Sequence, residues 1–181
     1  MVKPLKSERG RQSSARRLAV DGMLCAAAIV GRIALSALPN VQPVTAIIIL
    51  MAVYIGTWDA AVSAVVIVLI TNLILGMGIW SLYQMAAWVL IALLSAALFK
   101  KWHPPVALLI WAILCGFGYG AFVSIFSWRM INTGAGAASY TAYWLTGLPT
   151  DVYHALGNGI FIWFLIPVFG KILKLPEGEM G

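Results

Sequence analysis

The chain has 181 residues, of which 62% are hydrophobic and 10% charged, and its 12 Lys and Arg against 6 Asp and Glu give a net charge of +6. Soluble domains carry about a quarter charged residues, so this composition excludes an ordinary soluble domain and reads as an all-α integral membrane protein. The apolar runs occupy almost the whole length and leave no room for a separate soluble domain.

In chain order, residues 1–16 form a basic segment, 17–175 a membrane domain and 176–181 a short tail. The membrane domain divides into about six apolar runs, each long enough at 1.5 Å per residue to cross a ~30 Å core with tilt. The predicted bundle therefore has about six transmembrane helices joined by irregular outer loops. The first run spans about 17–38 and stops at Pro39. The second covers 44–58 and the third 60–75, after the turn "GTWD"; both are short for full spans. The fourth covers 82–99, the fifth 105–127 and the sixth 150–173. The stretch 128–149 is glycine-rich and polar, and reads as a loop.

Lys3, Lys6, Arg9, Arg11, Arg16 and Arg17 precede the first run, Lys100 and Lys101 follow the fourth, and Lys171 and Lys174 close the sixth. With six spans these all fall on one side. Only Arg32 and Arg129 lie elsewhere. The positive-inside rule then puts both termini in the cytoplasm of a multi-pass protein of the cell membrane. The basic start is read as this topology signal rather than as a nucleic-acid site, so no nucleic-acid partner is expected. It imitates a signal peptide, but the long apolar run and the five spans after it argue against cleavage.

Cys25 and Cys115 lie in apolar runs without CxxC spacing and fit small core residues; no metal site is expected. No Ser/His/Asp order suggests a hydrolase, and no catalytic residue is assigned. The Gly-rich pieces "GMG" and "TGAGAAS" lack the Lys-Ser/Thr of a P-loop, so if transport here uses ATP another subunit must bind it.

With this topology the three outward connections, 39–45, 75–84 and 128–149, hold most of the chemistry. Irregular backbone at membrane depth is tolerated only where protein buries it or water reaches it. A ligand cup opening outward is the expected result, with Asn40, Gln42 and Thr45 of "PNVQPVT" in its wall. The plainer reading is that Pro39 and Pro43 only stop one helix and start the next.

Arg32 lies fifteen residues beyond Arg17, roughly 22 Å along the first helix. An ionisable residue there should face a cavity, a ligand group or Asp151, or else snorkel to the headgroups. Asn72 either binds substrate or glues two helices. Trp80, Gln84 and Trp88 repeat every four residues, one helical stripe that would stack on a planar ring and read its polar edge. Trp80 also fits an interfacial belt. Asp151, His154 and Asn158 share one face of the sixth helix, with Asp151 holding His154 or capping the helix. Tyr140, Tyr143 and Trp144 are candidate lids, and Trp144 equally fits a membrane anchor. Asp59, at an inner turn, reads as structural. On the first helix, Gly22/Ala26 and Ala27/Gly31 are small-xxx-small pairs suited to close helix approach, within the chain or with a partner.

The series "GRIALSALPNVQPVTAIIIL", "TNLILGMGIWSLYQMAAW" and "LPTDVYHALGN" resembles the substrate-binding S component of energy-coupling factor (ECF) transporters over nearly the whole chain. The resemblance implies a six-helix, non-enzymatic vitamin-capture subunit with no covalently bound cofactor. Its partners would be a transmembrane coupling subunit and two ATPase subunits that use ATP, and it would topple in the bilayer to carry substrate inward. The family pattern favours substrate contact for Asn72. The Gly22/Ala26 and Ala27/Gly31 pairs resemble the AxxxA-type face that meets the coupling subunit, with glycine replacing alanine at one end of each. Ile79 and Leu82 stand where proline is expected in that family. The nearest resemblance is to the cobalamin-type branch, which makes a corrinoid the expected substrate; queuosine precursors and other vitamins belong to similar sequences. From other classes, a stand-alone proton-coupled carrier would use Asp151 and His154 as its relay, and a membrane enzyme would have only that pair and Arg32.

Overall fold

The computed structural model describes residues 6–131 and 136–173, with side chains from residue 15 onward. Six helices make up the described chain: α1 Lys6–Ala34, α2 Val44–Tyr54, α3 Thr57–Leu75, α4 Trp80–Phe99, α5 Pro105–Ile131 and α6 Ala137–Leu173. No strand occurs among the described residues. α3, α4, α5 and α6 are each long and apolar enough to cross a membrane. The protein is an all-α membrane bundle.

α2 organises it. Its 11 residues extend only about 16 Å, half of a ~30 Å core, shorter still than the 44–58 run that the sequence marked as short for a full span. Val44 through Ala52 are all buried, and the helix touches each of the other five. A helix apolar on every side is enclosed by protein or faces lipid, and α2 is enclosed. α2 ends at Tyr54 because the chain turns at Ile55 and Gly56, where a Cβ on Gly56 would run into the Asp59 carboxylate and the Arg17 guanidinium. Arg17 Nε donates to Asp59 Oδ1 at 3.1 Å and Arg17 Nη2 to the Ile55 carbonyl at 3.2 Å, which ties α1 to this turn. Arg17 also bonds Asp59 Oδ2. Asp59 is structural, as read from the sequence.

α5 and α6 form the closest pair. Ala112, Gly116 and Gly120 recur every four residues on α5, so they share a face. A Cβ on Gly116 would strike the Ala155 backbone and one on Gly120 the Asp151 carboxylate. Small residues here let two backbones approach, as membrane helix pairs require.

The stretch expected to be a loop over 128–149 is mostly helix. α5 continues to Ile131 and α6 starts at Ala137, running through Pro149; residues 132–135 lie outside the described residues. Proline removes one helical N–H, and threonine hydroxyls can bond carbonyls in its neighbourhood. Thr146 Oγ1 donates to the Tyr143 carbonyl at 2.6 Å and Thr150 Oγ1 to that of Gly147 at 2.7 Å. Trp128 Nε1 donates to Ser139 Oγ at 3.1 Å, and the Tyr140 hydroxyl to the Ala121 carbonyl at 2.9 Å, pinning this part of α6 to α5.

Candidate functional site

At the end of the bundle opposite the Arg17–Asp59 pair, the α1–α2 connection folds back over α1. Two positions require special backbone. Asn40 has φ 56°, the left-handed region that Asn tolerates better than most residues. Gly31 lies under the Pro43 ring, which a Cβ would strike. Pro43 is the N-cap of α2, but α1 ends at Ala34, five residues before Pro39, so Pro39 does not itself stop the first helix. The turn between the two helices brings Gln42 and Thr45 inward, where both are buried.

The turn roofs a cleft of about 150 Å³ lined by residues that include Arg32, Ser36, Asn40, Gln42 and Gln84. Arg32 is only 8% exposed. Its Nη1 donates to Thr71 Oγ1 at 2.7 Å and its Nη2 to Gln84 Oε1 at 3.2 Å. Thr71 passes its own proton to the Ile67 carbonyl at 2.7 Å. The guanidinium carbon sits 5.1 Å from the Trp88 ring centroid, a cation–π contact. Among the described residues the ion pair is Arg17–Asp59, and none involves Arg32. The expected pairing of Arg32 with Asp151 is therefore not formed. Asp151 is buried against Gly120 and accepts from Trp144 Nε1 at 2.9 Å.

Gln84 Oε1 also accepts from Asn72 Nδ2 at 2.8 Å, and the same Asn72 nitrogen donates to Ser81 Oγ at 2.8 Å. Asn72 thus positions Gln84 from below; its amide nitrogen is spent within the chain rather than held out to a ligand. Trp80, Gln84 and Trp88 do lie on one helix, but they do not make a stacking platform. Trp80 is 48% exposed and packs on Gly78, whereas Trp88 is fully buried. The Trp88 ring is already covered by Arg32 and by Tyr119, whose centroid is 4.8 Å away.

Behind the cleft, Trp88 Nε1 donates to Thr45 Oγ1 at 2.9 Å, and Thr45 Oγ1 meets His154 Nε2 at 2.9 Å. Assigning the Thr45 proton to Nε2 leaves one unpaired hydrogen, on His154 Nδ1; the other tautomer would leave both the Thr45 proton and Nδ1 without partners. Tyr119 stands edge-on to the imidazole, with centroids 4.9 Å apart. His154 is held by Thr45, not by Asp151 as the helical spacing suggested. With separate partners, Asp151 and His154 make no bond to each other that a proton relay would use. Asn158 Nδ2 donates to the Ala112 carbonyl at 3.1 Å, joining α6 to α5, while its Oδ1 is buried without a partner.

Arg32, Asn40, Gln42 and Gln84 are thus brought together at one cleft, with Asn72, Thr45, Trp88 and His154 supporting it. Tyr143 is half-buried on α6 and is not among the cleft residues. On α1, Gly22, Ala26 and Ala27 are exposed. A Cβ on Gly22 would meet nothing, but Gly31 is committed to Pro43. The Gly22/Ala26 pair stays open to a partner; the Ala27/Gly31 pair does not.

Sequence reading passed over Thr71, Ser81 and Tyr119. Thr71 was findable from depth, since it adjoins Asn72 near the same end of the bundle as Arg32. Among the described residues no group of three or more His, Cys, Asp or Glu side chains could hold a metal ion. Compared with protein-family models, with curated proteins and with solved structures, the chain matches none of them.

Proposed function

We propose that this chain is the substrate-capturing membrane subunit of an ECF-type ABC importer for a vitamin, with a corrinoid as the first candidate substrate. The observation that supports it best is Arg32: a buried guanidinium without a carboxylate partner, at a cleft whose other polar lining residues include Asn40, Gln42 and Gln84. A charge held inside a membrane bundle is costly, and such residues mark substrate or ion pathways. The second support is the exposed Gly22/Ala26 face on α1, which suits a close helix contact with a coupling subunit.

In this reading both termini face the cytoplasm of a bacterial cell and the Arg32 cleft faces outward. Substrate enters beside the 35–43 turn, the coupling subunit engages α1, and ATP hydrolysed by two partner ATPases drives release inside. The cleft of about 150 Å³ is smaller than the 300–1,000 Å³ usual for an enclosed ligand. A ligand as large as a corrinoid would seat one peripheral group in it and keep the rest outside.

Uptake into proteoliposomes tests the assignment. With the chain, the coupling subunit and the ATPases present, labelled cobalamin or another vitamin accumulates only with internal or external ATP supplied on the ATPase side. Accumulation driven by a proton gradient with this chain alone would replace the importer reading with a carrier.

A further inference from the structure

We propose that the group seated in the Arg32 cleft is an anionic oxygen group, a carboxylate or a phosphate; on a cobalamin this would be the phosphate of the nucleotide loop, not one of the neutral amide arms. The inference deepens the capture reading by naming the chemistry of the substrate's bound end, and the anion itself rests on the cleft alone.

The cleft offers donors and positive charge. Arg32 carries five N–H donors, and its bonds within the chain go to two neutral acceptors, Thr71 Oγ1 and Gln84 Oε1. Gln84 Oε1 is shared by Arg32 and Asn72, so the acceptor end of this amide is already occupied. Gln42 is 7% exposed, lines the same cleft, and has no hydrogen-bond partner among the described residues. Its amide is not among the atoms sealed off without a partner, so it opens to the cleft and offers an N–H₂ donor that no neighbour uses. No described carboxylate is placed to neutralise Arg32. Asp59 is paired with Arg17, Asp151 takes the Trp144 indole, and Asp21 lies one turn from Arg17 at the opposite end. Trp88 lies against the guanidinium, and with one N–H given to Thr71 and one to Gln84, three of its five donors remain for a ligand. A carboxylate or a phosphate is the acceptor that suits a guanidinium best. The volume of about 150 Å³ equals that of about five waters, enough for a carboxylate with its first carbons.

A solute or a lipid headgroup could bring this anion, and the two are separable. The full chain in neutral detergent is titrated with acetate or acetamide at ionic strength matched with chloride, reading the melting temperature. Acetate is expected to raise it saturably and acetamide not to. Arg32→Met should abolish the response. Gln42→Leu, which breaks no bond within the chain and so preserves folding, should raise the half-saturating concentration severalfold. In phosphatidylcholine nanodiscs, adding phosphatidylglycerol should leave the acetate response intact if the anion comes from a solute. Stabilisation by that lipid together with loss of the acetate response assigns the site to a headgroup phosphate. Equal effects of acetate and acetamide, or a Gln42→Leu response identical to wild type, overturn the proposal. A vitamin captured equally by wild type and Arg32→Met would leave capture standing and remove the anion. An acetate response in a chain that captures no vitamin would do the reverse.

Discussion

Thr45 and His154, 109 residues apart in the chain, meet at 2.9 Å in the interior of the bundle, where the Trp88 indole donates to the same hydroxyl. One side chain on the short central helix thereby joins α2, α4 and α6. Because Trp88 also carries Arg32 against its face, the hydroxyl behind the cleft fixes the wall in front of it.

Replacing Thr45 with Val keeps the shape and removes the hydroxyl. It leaves the Trp88 N–H and His154 Nε2 buried without their partner, at a cost of about 1–3 kcal/mol per unsatisfied group. Thermal unfolding in detergent should show a lower midpoint for Thr45→Val and recovery in Thr45→Ser. Wild-type stability in Thr45→Val would mean that the two contacts carry no net energy.

Gly116 and Gly118 make a matched pair. A methyl on Gly116 meets the Ala155 backbone, which cannot move aside, whereas Gly118 has open space around the same position. Gly116→Ala should destabilise by about 1–3 kcal/mol through overpacking. Gly118→Ala should be neutral or stabilising by up to ~1 kcal/mol, since alanine is the better helix former. Equal midpoints for the two variants would contradict the close α5–α6 approach.

This contact also marks the limit of what the sequence made legible. Composition and apolar runs were enough for an all-α membrane bundle with α3, α4 and α5 close to where they lie; α1 begins earlier and ends sooner than read, α2 is shorter, and α6 begins thirteen residues before the expected start. The small residues singled out on α1 were visible by spacing alone, and spacing could not say that Gly31 packs inward on Pro43 while Gly116 and Gly120 seat α6. The helical character of 137–149 was hidden because Gly147 and Pro149 are local breakers, and the bonds that hold this stretch against α5, from Trp128 to Ser139 and from Tyr140 to Ala121, are tertiary. At the site, Arg32, Asn40, Gln42 and Gln84 could be singled out as polar residues at one end of the apolar runs. Their pairing could not: Asp151 and His154 share a helical face, yet their partners are Trp144 and Thr45, set by tertiary packing.

On α1, the exposed Gly22/Ala26 pair predicts a separation of assembly from capture. Gly22→Trp with Ala26→Trp places two indoles where no neighbouring atom lies within contact of Gly22. The double variant should lose co-purification with the coupling subunit and ATPases and retain ligand-induced stabilisation. Normal co-purification would move the docking surface elsewhere.

The cleft predicts that Gly31→Ala acts on ligand rather than on partner. The added methyl strikes the Pro43 ring and shifts the turn that carries Gln42. Ligand affinity should fall severalfold while co-purification with the module is unchanged. Weakened assembly with unchanged affinity would assign Gly31 to docking after all.

Ligand-induced thermal stabilisation of the detergent-purified chain, run against a vitamin panel that includes cobalamin and cobinamide, tests capture at the Arg32 cleft most directly. A ligand that binds the folded state raises its stability by RT ln(1 + [L]/Kd), so a specific vitamin should give a shift that grows with concentration. Wild type should show such a shift, Arg32→Met should lose it, and Gln42→Leu should need a severalfold higher concentration to reach it. A shift of the same size in all three, or no shift with any vitamin, would contradict capture at this cleft.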